Sequence, residues 1–131
     1  MKALTRVTVA AAVASALIGG VVVAQNLEEI TVQGTRVLDE KDAGRSSTGV
    51  QIRDVSLSYG VSIADLNLAS QYGPIALEKR VHDAARAACE EIGRKYPHST
   101  PSDEVCAKAA ADKAMVKARE LVATARQKLP Q

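Results

Sequence analysis

Cys89 and Cys106 are the chain's two cysteines, and each falls near the inner end of an Ala-rich helical pattern. Leu77, Val81, Ala84, Ala85, Ala88 and Ile92 recur at three- and four-residue steps, with Glu78, Lys79, Asp83, Arg86 and Glu90 on other faces. After a polar turn from Arg94 to Ser102, Cys106, Ala110, Ala111, Ala114, Met115, Ala118, Leu121, Val122 and Ala125 repeat the spacing. A Cys89–Cys106 bridge would therefore close a helix hairpin at its turn. In the chain-entropy model, closing a loop of this size contributes about 3 kcal/mol. The chain has no Phe, no Trp and only three Tyr, so its core must be built from small aliphatic side chains. Domains of this size are already short of buried area, and a covalent staple is the usual remedy.

Whether the cysteines oxidise depends on the compartment, and the first residues bear on that. Lys2 and Arg6 precede an apolar run from Val7 to Val23, and a small residue, Ala24, stands before Gln25. This is the layout of a secretory signal peptide over residues 1–24, cleaved between Ala24 and Gln25. A cut after Ala16 would leave Leu17 to Val23 on the mature end, and a retained membrane anchor is the competing reading. Gly19 and Gly20 weaken a spanning helix, so no stable membrane insertion is expected after cleavage. In an oxidising compartment the two cysteines are expected to form a structural disulfide. A redox pair would call for a C-x-x-C spacing. A zinc site would call for a tighter Cys/His pattern than Cys89, Cys106, His82 and His98 provide.

Removing Lys2 and Arg6 from the 17 basic residues leaves 15 against 15 acidic ones. That balance offers no electrostatic footprint for nucleic acid. The second helix is nevertheless locally basic, with Lys108, Lys113, Lys117, Arg119, Arg126 and Lys128. Such a bias suits the helix dipole on a solvated face, or an acidic partner.

Between leader and hairpin the period changes. Ile30 and Val32 alternate with polar residues and predict a short strand over Leu27–Val37, weakened by Gly34. This segment resembles the one that opens the plug of TonB-dependent outer-membrane receptors. Its two readings are an ordinary strand, or an edge that pairs with a partner by strand addition. Leu38 to Gly49 has no period and reads as a linker or mobile loop. Val55, Leu57, Tyr59, Val61 and Ile63 alternate with Ser and Gly, a half-buried strand with one wet face. Val50 and Ile52 keep the opposite phase, which places a bulge or the strand start at Arg53-Asp54. Gly73-Pro74 suits the first helix's N-terminus, with Ser70 as the alternative cap, and Gly93 is expected to end that helix. Thr100-Pro101, followed by Asp103 and Glu104, announces the second helix.

No nucleophile, base and oxyanion set emerges, and no phosphate-binding glycine loop. Asp65 reads as a turn or cap residue, and His82 as a boundary residue. His98 reads as an exposed turn residue, and of the neighbouring acid pairs Glu28-Glu29 and Glu90-Glu91 the latter reads as solvated on its helix. No catalytic, cofactor or metal residues are assigned; a pocket joining Asp65 to His82 would revive an enzymatic reading.

The run Val61 to Ser70 (VSIADLNLAS), then Gly73, Leu77, Arg80-Val81, Ala84-Ala85 and Cys89, followed by Cys106, Ala110 and Ala114, resembles the UrcA family of small exported bacterial proteins. The resemblance spans about residues 50 to 125 with the motif order kept. Departures are Ile63 where an aromatic is usual, Asn67 in place of a second Asp, and Tyr72-Gly73-Pro74 where Pro-Glu-Gly is commoner. Losing the second acid argues against metal ligation in that turn. The resemblance implies a periplasmic or secreted protein of a Gram-negative envelope and brings no catalytic residues with it.

The expectation is thus an α+β chain: a signal peptide (1–24), a short strand plus linker (25–49), and an α+β unit (50–129). In that unit a disulfide-closed antiparallel helix hairpin packs on the apolar side of the second strand. Functionally, a non-enzymatic binding module of the envelope is expected. The alternatives are a small periplasmic enzyme, or a partner of TonB-type machinery through Ile30–Val37. An envelope protein is the expected partner class, and unpaired strand edges leave room for a second copy.

Overall fold

The computed structural model describes residues 29–39, 41–45, 47–49 and 51–130. The expected leader with its expected cleavage site at Ala24/Gln25, together with Glu28 and Val50, lies outside the described residues. Two strands are followed by two helices: β1 Glu29–Val37, β2 Asp54–Ser62, α1 Gly73–Lys95 and α2 Asp103–Gln127. The strands form one antiparallel sheet, with Glu29 opposite Ser62 and Val37 opposite Asp54. The α+β architecture read from the sequence is therefore the observed one. Among the described residues no helix is long and apolar enough to cross a membrane.

β1 buries every second residue, Ile30, Val32, Gly34 and Arg36, and exposes the rest. This is the two-residue period of a strand with one covered face. β2 keeps the expected phase, but only Val61 is fully buried; Val55 and Leu57 are half-buried and Tyr59 is 36% exposed. The cover explains the difference. α1 packs across both strands, whereas α2 meets β1 and not β2. The hairpin thus sits chiefly over β1, whereas the sequence pattern places it on the apolar side of the second strand. β1 shares one core with the later elements, whose buried members include Ile30, Val32, Val61, Leu77, Val81, Ala85, Cys89, Cys106, Ala110 and Ala111.

Both helices bury the faces their spacing predicts. The end of α1 and the cap of α2 differ from expectation. α1 continues past Gly93 to Lys95, and the Tyr96 amide donates to the Ile92 carbonyl at 2.8 Å. Gly93 serves close approach instead: a Cβ there would fall 2.5 Å from both Arg36 Nη1 and Asp103 Oδ1. Pro74 occupies the first turn as predicted. Ser70 lies two residues before the N-cap, Tyr72, yet its hydroxyl accepts from the Gly73 amide at 3.0 Å. Ser102, not Thr100, is the N-cap of α2. Thr100 pairs with Val37, exchanging backbone bonds of 2.7 and 2.9 Å, so the interhelical turn adds to the end of β1.

The segment after β1 lacks periodicity, but it is tied down among its described residues. The Leu38 amide donates to the Arg53 carbonyl at 2.6 Å and the Ile52 amide to the Gly44 carbonyl at 2.8 Å. β2 begins at Asp54, the start that the phase change at Arg53-Asp54 marks.

Candidate functional site

The disulfide lies at the centre of the fold. Cys89 and Cys106 are bridged, with Cα atoms 5.9 Å apart and almost no exposure. Cys89 projects from α1 toward β1, where Gly34 leaves the space for its sulfur. Cys106, in the first turn of α2, sits 3.8 Å from the Thr35 carbonyl. The bridge therefore joins the two helices and rests on β1. The covalent link ties α1 to α2, and β1 packs against it.

Beside the bridge lies a charge that the sequence pattern does not disclose. Arg36 is 4% exposed. Its Nε donates to the Pro101 carbonyl at 2.7 Å and its Nη1 pairs with Asp103 at 2.9 Å. A buried guanidinium needs such partners, because unpaired burial of a charge costs several kcal/mol. The pair stitches the end of β1 to the start of α2. It also explains why Asp103, half exposed at the N-terminus of a helix, is held where the helix dipole favours an acid.

The residues that the sequence offers for chemistry are scattered. Asp65, in the turn after β2, makes two hydrogen bonds to Arg80 at 2.6 and 2.7 Å, and Arg80 also donates to the Ser62 carbonyl at 2.9 Å. Arg80's hydrogen bonds hold the Asp65 carboxyl down at about 2. This geometry anchors the turn to α1. His82 lies elsewhere, in a depression of about 470 Å³ lined by Arg86, Glu104, Ala107 and Lys108, and its nearest acid is Glu78 at 3.9 Å. The structure does not bring Asp65 and His82 together.

His98 contacts Asp42 through its backbone amide at 2.8 Å and its Nδ1 at 3.2 Å. Desolvation pulls the Asp42 carboxyl up, but the bonds from His98 outweigh it and leave it below its ordinary range. Glu91, expected to be solvated, accepts a hydrogen bond from the Tyr59 hydroxyl, which pushes that phenol upward. Glu29 folds over Gly60 on the wet face of the sheet. Among the described residues no group of three or more His, Cys, Asp or Glu side chains is placed to hold a metal.

Two further grooves among the described residues are lined by hairpin side chains. One, of about 420 Å³, runs between the start of α1 and the end of α2, lined by Ile75, Met115 and Val122 with Glu78, Arg119 and Arg126 at its rim. The other, of about 380 Å³, lies between β1 and α2. Its lining combines Ile30, Thr31 and Gln33 with Ala110, Lys113, Ala114 and Lys117. The sequence signals its parts, a strand edge and a basic helix, but not their juxtaposition. Comparison with models of known families, with curated proteins and with solved structures finds no match to this chain.

Proposed function

We propose that this chain is an exported, non-enzymatic binding module of the bacterial envelope, of the UrcA type. The observation that carries the reading is the buried Cys89–Cys106 bridge, whose position between α1, α2 and β1 makes oxidation part of the fold. Structural disulfides of this kind form and persist outside the cytoplasm. The basic-apolar-small layout of residues 1–24 and the motif order from Val61 to Ala114 support the same reading.

Strand addition is the mode of binding that the fold favours. β1 is the strand read as a docking edge, and the outer side of Glu29–Gln33 borders a groove. Arg36 and Val37 are committed to Asp103 and Thr100, so the available part of the Ile30–Val37 segment is its first half.

The test is fractionation of cells expressing the full-length chain with a C-terminal tag, combined with thiol alkylation. A mature protein beginning at Gln25, in the periplasm or medium and inert to maleimide until reduced, is expected. An unprocessed cytoplasmic protein with two reactive thiols would overturn the proposal.

A further inference from the structure

The outer edge of β1 can be assigned residue by residue. Val37 exchanges both of its backbone bonds with Thr100, on the side away from β2, while the Leu38 amide turns inward to Arg53. Backbone groups in a strand alternate in direction, so Thr35, Gln33, Thr31 and Glu29 point outward with Val37. The position of the Thr35 carbonyl beside Cys106 agrees with this alternation. Thr100 covers the edge at Val37 and Cys106 covers it at Thr35. The amides and carbonyls of Thr31 and Gln33 face the groove, a row that a further strand would satisfy.

What could lie there is constrained from above. Because α2 meets β1 but not β2, the helix is displaced beyond the sheet and roofs the place of a third strand. A second copy joined β1 to β1 would bring its own α2 to the same side of the sheet and into the same space. The occupant must be an extended chain without a helical layer of its own. Its charge is set by α2. Lys113 and Lys117 line the groove. Lys117 shares Glu120 at 3.3 Å, and Lys113 has no ion pair among the described residues. Glu29, the acid in the lining, is drawn away over Gly60. The floor at Ala110 and Ala114 is shallow and apolar, which suits small or branched side chains between the charged ones.

We propose that the groove between β1 and α2 binds an extended acidic peptide, which adds to the sheet beside Thr31 and Gln33 and places carboxylates at Lys113 and Lys117. This rests on the reading of the chain as a binding module and names its ligand class. Main-chain bonds supply affinity in such complexes, and alternate side chains supply selectivity.

The purified, oxidised protein (residues 25–131) can be titrated with three short fluorescent peptides. One alternates valine and glutamate, one alternates valine and lysine, and one is the acidic peptide N-methylated at alternate residues. Saturable binding of the acidic peptide is expected, at least about tenfold tighter than either control and weakened by salt. Amide shifts at Thr31 and Gln33 should accompany it in NMR spectra. The double variant K113E/K117E, which alters exposed positions only, should reverse the preference between the acidic and basic peptides. Equal binding of all three peptides, no saturable binding, or an unchanged preference in the double variant would overturn the assignment. The titration does not depend on localisation, so its failure is separate from failure of the export reading.

Discussion

A Cβ built on Gly34 would lie 2.9 Å from Sγ of Cys89 and 3.3 Å from Cβ of Ala88. The absence of a side chain on β1 is thus what lets the bridged cysteine of α1 settle onto the strand. A bridged sulfur is held at both ends and cannot yield by rotamer change.

This contact predicts a non-additive pair. Gly34→Ala in the bridged protein should cost about 1–3 kcal/mol, the usual range for overpacking. In a Cys89→Ala/Cys106→Ala background the same change should cost less than about 1 kcal/mol, because the sulfur is gone. Urea unfolding of the four proteins gives the coupling directly. Strictly additive costs would mean that the strand moves aside instead.

Loss of the bridge itself should lower stability by about 3 kcal/mol, given the seventeen-position separation of the cysteines. Denaturation of the wild-type chain with and without reductant measures this. Reduction should also expose the edge of β1 near Thr35, where Cys106 lies against the carbonyl. Amide exchange at the end of β1 should rise more steeply than exchange in the last turns of α2.

Arg36→Met keeps the length of the buried stem but removes both the bond to Pro101 and the pair with Asp103. It should destabilise the fold by about 2 kcal/mol, in the range of hydrogen bonds to charged groups. Asp103→Asn, which leaves the guanidinium buried without its counter-charge, should be at least as costly. Thermal unfolding of the two variants and their combination would show it, the combination costing less than the sum of the single changes.

The Asp65–Arg80 clamp predicts a specific acid response. Arg80 depresses the Asp65 pKa from an ordinary 3.8 to about 2. A carboxylate with a lowered folded-state pKa binds fewer protons when folded than when unfolded over that interval. Its stabilisation is complete above about pH 4 and is lost as pH falls toward 2. The wild-type chain should therefore lose stability more steeply between pH 4 and 2 than Arg80→Met does. Parallel slopes in that window would show that the clamp carries no folding linkage.

Much of the architecture is legible in the sequence because it rests on local periodicity. The 3.6-residue spacing from Leu77 to Ile92 and from Cys106 to Ala125 marks the buried helix faces, and the two-residue spacing from Val55 to Ile63 marks the second strand. Expectation and structure part where tertiary contacts override local signals. Gly93 looks like a helix terminator, but it lies within α1, where Arg36 and Asp103 occupy the space that a side chain would need. Thr100 looks like a cap, but Val37 takes its backbone. Arg36 continues the buried phase of Ile30 and Val32, yet its charge conceals that phase in a hydrophobicity pattern. The groove is illegible for a different reason: Thr31 and Lys113 are far apart in the chain, and only packing brings them to one cleft.

The alanines buried on the two helices have a consequence for how this chain can vary. At Ala85, Ala88, Ala111 and Ala118, each essentially sealed from solvent, there is almost no side chain to remove and no room to add one. Truncation to glycine at these sites sacrifices a single methyl group plus backbone order, whereas enlargement to valine or leucine must displace close-packed neighbours. Tolerance at these positions is therefore lopsided, and mutational drift can thin this interior far more readily than it can thicken it.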